Sequence, residues 1–209
     1  MSPDRFSFRK SARQSRAQDT VDTILEASTR IVARDGMASL TTNRIAEIAG
    51  VSIGSLYQYF PGKDAILHAL VQREFNRTVD GHVAFIDAID PAVLTLEEAV
   101  EAIVDHVFEA HRVRRPFLRE ILLSVLSIQH LRFTLENDAR VLDATRRKLE
   151  QYGLGGPSLE AGLFAALYTL KGVQIDMVFA DRPDDDRAVR QAVVRGILGN
   201  LTGSRPDRG

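Results

Sequence analysis

Side chains able to recognise nucleic-acid bases are grouped in one short stretch of the sequence. The carboxamide of Gln58 can both donate to and accept from an adenine edge, and Ile53 can touch a thymine methyl group. The hydroxyl groups of Ser55, Tyr57 and Tyr59 suit phosphate oxygens or base edges. This chemistry requires the stretch to form a helix that lies in a major groove of double-stranded DNA.

Residues on both sides of this stretch could add contacts to the DNA backbone. Thr42, Asn43 and Arg44 open the preceding helix, where side-chain donors and the free amides of a helix N-terminus can hold phosphates. Gly54 has no side chain and would let its helix approach the duplex closely. Lys63 stands at the start of the following helix, where its ammonium group could hold a further phosphate.

Two short helices joined by a tight turn are expected to position these residues. Ala46 is small enough for two helices to cross closely, and Gly50 can adopt the positive φ that the turn needs. Thr41 and Ser52 can cap the two helices. The pattern predicts a helix-turn-helix, but spacing alone equally allows an ordinary helical hairpin in which the two tyrosines are core residues.

Residue types that would indicate catalysis or metal binding do not form a site in this sequence. The chain has no cysteine, and His106 and His111 do not share a helix face well. The glycines at 153, 155 and 156 lack the strand and spacing of a dinucleotide-binding loop. We therefore predict no enzyme activity, no metal and no cofactor. Two alternatives stay open, a helical enzyme with an unrecognised site and an adaptor protein whose helix-turn-helix no longer binds DNA.

Composition and periodicity predict an all-α chain. Of its 209 residues 44% are hydrophobic, and no strand pattern or repeat interrupts the helical spacing of the apolar positions. The expected helices cover residues 19–35, 41–49, 52–60, 63–81, 95–113, 116–137 with continuation toward 151, 158–179 and 185–201. Because the sequence shows neither a transmembrane span nor a secretory signal, we expect a cytoplasmic protein with no membrane partner.

The distribution of charge and of turn residues predicts four segments. Arg5, Arg9 and Lys10 belong to a basic segment, although Lys plus Arg (27) and Asp plus Glu (28) nearly balance over the whole chain. The predicted segments are a flexible basic N-terminal arm at 1–17, a helix-turn-helix domain at 18–63, a helical ligand-binding and dimerisation domain at 64–201 and a flexible tail at 202–209.

The helix-turn-helix stretch resembles the N-terminal signature of TetR-family transcriptional regulators over about residues 17–70. The resemblance is carried by Thr41-Thr42, Ile45-Ala46, Ala49-Gly50-Val51-Ser52, Gly54-Ser55-Leu56-Tyr57, Tyr59-Phe60 and Lys63-Asp64. It implies a homodimer that binds a palindromic DNA operator, represses transcription and is released by a small-molecule effector. It also implies DNA contacts by Thr42, Ile53, Gly54, Ser55, Tyr57, Gln58, Tyr59 and Lys63, with Asn43 and Arg44 at less regular positions.

The second domain offers a candidate dimer interface and a candidate ligand site. Stripes of small residues let helices approach closely, and we favour dimerisation over packing within one chain for Gly162, Ala165, Thr169, Gly172, Ala192 and Gly196. Apolar positions interrupted by a few polar ones predict a pocket for a largely apolar effector, formed by Phe108, Ile121, Val125, Gln129 and Tyr168. An ordinary core with satisfied polar groups would show the same pattern.

Overall fold

The chain folds into helices alone wherever its structure is described. The computed structural model describes residues 5–124, 128–179 and 187–202, with side chains at 15–110, 112, 119, 136–177 and 187–202. The helices are α1 (Arg5–Asp35), α2 (Thr42–Ala49), α3 (Ile53–Tyr59), α4 (Lys63–Ala88), α5 (Leu96–Ser124), α6 (Ile128–Gln151), α7 (Pro157–Phe179) and α8 (Arg187–Thr202), with a short 3₁₀ turn at Met37–Ser39. None of the described helices is long and apolar enough to cross a membrane.

Two compact units divide the chain between Arg73 and Glu74. The division falls within α4, ten residues beyond the end of the predicted helix-turn-helix domain at residue 63. The first turns of α4 count with the first unit because Ile66, Leu70 and Val71 are buried in its core. The predicted segment boundaries stay predictions, although the helical fold class is confirmed.

The first unit packs α1, α2, α3 and the first half of α4 around one small core. Ile24 and Ile31 of α1, Ile45 of α2 and Leu56 of α3 are completely buried there. As the sequence predicts, α1 ends at Asp35, and Gly36 follows with a φ of 78° that only glycine adopts without strain. A core of this kind fixes the angle between α2 and α3, on which the exposed face of α3 depends.

Three helices extend several residues beyond the limits that the sequence predicts, and one of them, α4, continues from the expected end at residue 81 to Ala88. Residues predicted as a flexible arm are helical from Arg5, because no glycine or proline interrupts the chain between there and Asp35. The predicted break before Pro116 is wrong, since α5 continues through it to Ser124. A proline removes one helical hydrogen bond, and the strong helix formers around it sustain the remaining turns.

The second unit is a bundle built from the rest of α4 and α5 to α8. Its core joins Val104 and Phe108 of α5, Leu163 of α7, and Ile197 and Leu201 of α8, all nearly inaccessible to solvent. The helix α7 carries apolar residues on every side, so burying one side against α5 and α8 leaves others to line a cavity or meet a partner.

A buried lysine fastens α6 to the end of α4. Lys148 is 7% exposed, and its ammonium group donates to the carbonyl oxygens of Asp87 at 3.2 Å and Ile89 at 2.6 Å. A third acceptor is Oε1 of Gln151 at 3.3 Å. The lysine therefore satisfies backbone carbonyls that a helix C-terminus leaves without intrahelical donors.

Replacing Lys148 with methionine is expected to lower the free energy of unfolding by about 2 kcal/mol, because it keeps the stem but leaves buried carbonyl oxygens without a donor. Urea denaturation followed by circular dichroism measures the change. Arg147→Met is the matched control, since Arg147 is the exposed neighbour and its loss should change stability by less than about 1 kcal/mol. Equal effects of the two substitutions would show that Lys148 does not stabilise this junction.

Candidate nucleic-acid interface

The turn between α2 and α3 has the geometry that the sequence predicts. Gly50 adopts a left-handed conformation with φ 67° and ψ 28°, and its amide donates to the carbonyl oxygens of Ala46 and Glu47. The amide of Val51 also donates to Ala46, at 3.0 Å. These bonds close the end of α2, where Ala46 is 3% exposed and therefore part of the core.

The start of α3 is fixed by a serine cap. The hydroxyl of Ser52 accepts from the backbone amide of Ser55 at 3.0 Å, and the two serine hydroxyl oxygens are 2.8 Å apart. Leu56, which is completely buried, holds the inner side of α3 against the core. The register of this short helix is therefore set at both its first turn and its middle.

The outer side of α3 presents large apolar and polar groups to solvent. Ile53 is 40% exposed, Tyr57 51% and Tyr59 37%, and Gln58 and Gly54 are exposed beside them. Three large side chains exposed on so short a helix are unusual for a surface without a binding partner. Ile53, Tyr57 and Gln58, three of the residues predicted to meet DNA, are thus accessible on one short helix, whereas Ser55 is half-buried.

The first turn of α2 belongs to the same surface. Oγ1 of Thr42 and the hydroxyl oxygen of Tyr57 are 3.4 Å apart, so the structure brings the two predicted DNA-binding segments together. Thr41 caps α2 by accepting from the amide of Arg44 at 3.3 Å, and Asn43 is exposed. Lys63 opens α4 after the turn that follows Phe60 and is half-buried.

Arg44 is held by an acidic residue of α1. Its guanidinium donates to Oδ2 of Asp35 at 2.6 Å, and Arg34 donates to the same carboxylate at 2.9 Å. The hydrogen bond from Arg34, assisted by Arg44, holds the pKa of the Asp35 carboxyl below its usual value. Arg44 therefore anchors the beginning of α2 to the end of α1, a role that the sequence did not indicate, and its contact with DNA stays a prediction.

The small residues predicted to form the dimer interface differ in their surroundings: Gly162 packs against another helix of the chain, and Gly172 and Gly196 are exposed. A Cβ atom on Gly162 would lie 2.7 Å from the carbonyl oxygen of Asn200, so this glycine serves the close packing of α7 on α8 within one chain. Among the described residues, nothing lies within 4 Å of the corresponding positions on Gly172 and Gly196. Thr169 and Ala192 are exposed like these two glycines, and Ala165 is half-buried.

Large apolar residues are also exposed on α7. The sequence analysis did not predict them to take part in dimerisation. Phe164 is 59% exposed and Ile175 55%, and Tyr168 is 44% exposed with its ring centroid 4.6 Å from that of Phe164. The sequence signals this surface because α7 carries apolar residues on every side. A helix at the surface of a monomer normally has one polar side. Tyr168, predicted to bind ligand, lies on this exposed side of α7.

A cavity of about 330 Å³ opens within the second unit. Its walls come from α4 to α8 and are mostly apolar, and neither Phe108 nor Tyr168 is part of its described lining. Phe108 instead packs in the core with the guanidinium of Arg190 5.0 Å from its ring centroid. Side chains of the other three predicted ligand residues, Ile121, Val125 and Gln129, lie outside the described residues.

Charged and aromatic residues line this cavity at positions that the sequence did not predict. The ring of His106 stacks on Phe85 with centroids 4.1 Å apart and meets His82 edge-on at 5.2 Å. Burial lowers the pKa of His106, so its uncharged form is favoured. Glu74 and Asp138 are buried carboxylates in the lining. Aspartate and glutamate on a helix are normally exposed. The sequence therefore does not indicate that Glu74 and Asp138 are buried at a cavity.

Comparison with known proteins confirms the class of the first unit. Residues 24–70 match the family model described as bacterial regulatory proteins of the tetR family. The chain is 38% identical over 90 residues to the nucleoid occlusion factor SlmA of Actinobacillus pleuropneumoniae serotype 5b. The matched stretch covers 43% of this chain and 42% of that protein. The chain is also 36% identical over 78 residues to an uncharacterized HTH-type transcriptional regulator of Mycobacterium tuberculosis H37Rv. This match covers 37% of the chain and 39% of the relative.

The fold extends the likeness beyond these matches, which span only about two fifths of each relative. The fatty acid degradation regulator FadR of Bacillus halodurans superposes with a TM-score of 0.58 over 89% of this chain and 96% of that one. At 22% identity, this shows a shared fold of an N-terminal helix-turn-helix followed by a larger helical domain. Residues 24–70 thus match the helix-turn-helix segment of the tetR family, and the resemblance inferred from the sequence is confirmed over this stretch.

Proposed function

We propose that the chain is a homodimeric transcriptional repressor that binds a palindromic DNA operator and releases it when a small molecule occupies the second unit. The observation that carries the proposal is the exposed side of α3, where Ile53, Tyr57 and Gln58 project from a capped helix. A helix held in this way can enter a major groove without reorganising. Such an activity would take place in the cytoplasm, where bacterial DNA lies.

The exposed surface of α7 and α8 supports the homodimer. Phe164, Tyr168 and Ile175 place large apolar groups in solvent, and the open glycines Gly172 and Gly196 leave room for a second helix. Two copies of this surface packed against each other would bury these groups and form a four-helix contact. A dimer would also present two copies of α3, which must lie about 34 Å apart to enter successive major grooves.

The cavity supports an effector. Its volume of about 330 Å³ lies at the lower end of the range for small-molecule sites, about 300 to 1,000 Å³. Residues from Glu74 to Ile86 of α4 line it, and the same helix begins with Lys63 in the first unit. A ligand that prefers a different position of this helix would change the spacing of the two copies of α3, and a coupling of about 1 to 3 kcal/mol would lower operator affinity about 5- to 150-fold.

Selection from a pool of random duplexes tests the proposal. The full chain should enrich duplexes containing an inverted repeat, and fluorescence anisotropy should show at least about 10³-fold tighter binding to an enriched duplex than to a scrambled one of equal length. Equal affinity for the two duplexes would contradict sequence-specific binding. It would favour the adaptor alternative, in which the helix-turn-helix no longer binds DNA.

Replacing Lys63 with alanine is expected to weaken binding to every duplex. If Lys63 neutralises one phosphate, the slope of log affinity against log salt concentration should become shallower by about 0.9. Anisotropy titrations at several salt concentrations measure this slope. Arg30→Ala removes a cation that is 70% exposed on α1 and should leave it unchanged. An unchanged slope in the Lys63 variant would remove this residue from the interface.

A further inference from the structure

Two charges at the junction of α1 and α2 oppose the dipoles of their own helices. Asp35 is the last residue of α1, where the free carbonyl groups of the helix already carry partial negative charge. Arg44 lies in the first turn of α2, where the free amides carry partial positive charge. Because neither charge stabilises the helix that carries it, helix stability does not explain why charged residues occupy these two positions.

Two guanidinium groups converge on the carboxylate of Asp35. Nη2 of Arg44 donates to Oδ2 at 2.6 Å, and Nη2 of Arg34 donates to the same oxygen atom at 2.9 Å. Nε of Arg34 donates to both carboxylate oxygens at 3.0 Å. The hydrogen bond from Arg34 lowers the pKa of the Asp35 carboxyl, so this group is ionised at neutral pH. One carboxylate thus holds two guanidinium groups close together, and the three side chains carry a net positive charge.

Both guanidinium groups keep donors for a second anion, since each has five N–H groups. Within the part of the chain that the structure describes, Nε and Nη1 of Arg44 and Nη1 of Arg34 have no hydrogen-bond acceptor. The side chain of Arg44 is 33% exposed and that of Arg34 69%, so the oxygen atoms of a ligand can reach these donors. Guanidinium groups bind phosphate oxygens with charge-assisted hydrogen bonds, which makes phosphate the anion that fits them.

The position of Arg44 indicates which phosphate this is. Arg44 follows Thr42 by two residues, and Oγ1 of Thr42 is 3.4 Å from the hydroxyl oxygen of Tyr57 on the proposed DNA-binding surface. In a helix-turn-helix the first helix, here α2, crosses the backbone of the duplex while the second helix reads bases. The anion that such a complex brings to the start of α2 is therefore a phosphate of DNA.

We propose that Arg34 and Arg44 form a clamp for one phosphate of the DNA backbone, and that Asp35 is the positioning residue that assembles this phosphate clamp. Asp35 itself does not touch DNA. It holds the two guanidinium groups together, so less side-chain freedom is lost when the phosphate binds. The inference rests on the proposed function in placing α2 across a DNA backbone. It goes further by assigning a phosphate site to Arg34 and a part in DNA binding to an acidic residue.

Replacing Asp35 with asparagine tests whether the carboxylate assembles the phosphate clamp. The substitution removes a negative charge, which by itself would strengthen binding to DNA. We expect the opposite, an affinity about tenfold lower and a slope of log affinity against log salt concentration shallower by about 0.9, because the contact with one phosphate is lost. Anisotropy titrations with labelled duplex measure both. Asp22→Asn removes the same charge from an exposed position of α1 and should not lower the affinity. Unchanged or tighter binding by Asp35→Asn would overturn the proposal.

The ratio of two affinities separates positioning from a general structural role. Phosphate contacts carry no sequence information, so Asp35→Asn should weaken binding to an enriched duplex and to a scrambled one by the same factor, within about twofold. A displaced α2 or α3 would lose base contacts and weaken the enriched duplex more. Adding Arg44→Ala to Asp35→Asn should change the affinity by no more than about twofold, because the two residues act together. A fall in the ratio, or a larger loss in the double variant, would overturn the positioning role.

Replacing Arg34 with alanine tests the other member of the phosphate clamp. The affinity for both duplexes should fall about fivefold, because one of two charge-assisted contacts with the phosphate is lost. Arg30→Ala is the matched control, since Arg30 lies one turn earlier in α1, is 70% exposed and pairs with Glu26. It should leave both affinities within about twofold, and equal effects of the two substitutions would remove Arg34 from the clamp. A wild type with no preference for the enriched duplex would contradict the proposed function, whereas specific binding that Asp35→Asn does not weaken would contradict this inference alone.

Discussion

Replacing Gly162 with leucine is expected to destabilise the second unit by about 3 kcal/mol or more, because overpacking of a close helix contact forces the backbone apart. A Cβ atom at this position would lie 2.7 Å from the carbonyl oxygen of Asn200 and 3.1 Å from its carbonyl carbon. Both are backbone atoms of α8, which cannot turn aside as a flexible side chain would. Urea denaturation monitored by circular dichroism measures the loss.

Gly81→Leu is the matched control for this prediction, because Gly81 is an exposed glycine of α4 in the same unit and lies outside the proposed dimer surface. Among the described residues no atom lies within 4 Å of a Cβ at Gly81, so the protein should accept leucine there with little change in its free energy of unfolding. A helix interior also favours leucine over glycine by up to about 1 kcal/mol. If the two variants were equally stable, α7 and α8 would not pack as closely as the structure has them.

Replacing Phe164 with glutamate is expected to separate the two protomers. Phe164 is 59% exposed, so the protomer should fold normally, but the proposed dimer would bury an unpaired carboxylate from each copy. We expect the dissociation constant of the dimer to rise at least about 100-fold, which corresponds to about 2.7 kcal/mol. Operator affinity should fall with it, because a monomer can occupy only one half-site. Sedimentation velocity over a range of protein concentrations measures the first effect.

Val93→Glu is the control for dimerisation. Val93 is 74% exposed and belongs to the loop between α4 and α5 rather than to α7 or α8, so its substitution should leave the proposed dimer intact. A Phe164→Glu variant that remains dimeric at the same concentrations as the wild type would show that this surface is not the interface. The proposal would then need another surface of the second unit.

Local signals made the helix-turn-helix predictable from sequence. The caps at Thr41 and Ser52 and the left-handed turn at Gly50 depend on residues within a few positions of each other, and all three are present in the structure. The buried Ile45 and Leu56 then decide which side of each helix is exposed. This is why Ile53, Tyr57 and Gln58 of α3 are accessible to a partner.

Interactions between distant segments made the second unit less predictable. Lys148 bonds to carbonyl groups 59 and 61 positions away, and nothing near it in the sequence indicates a buried lysine. Gly162 and Gly172 look alike in sequence, but within the part of the chain that the structure describes a Cβ at Gly162 would meet α8 and a Cβ at Gly172 would meet nothing. Because α7 is apolar on every side, its pattern does not reveal which side Tyr168 occupies.

Comparing the DNA sequences selected by the wild type and by Gln58→Ala tests most directly whether α3 reads bases. Both proteins should enrich an inverted repeat. The variant should lose its preference at one position in each half-site, at a cost of about 1 to 3 kcal/mol there, because alanine cannot hydrogen-bond to a base edge. An identical consensus for the two proteins would show that Gln58 does not read the operator, and no enrichment by the wild type would contradict sequence-specific DNA binding altogether.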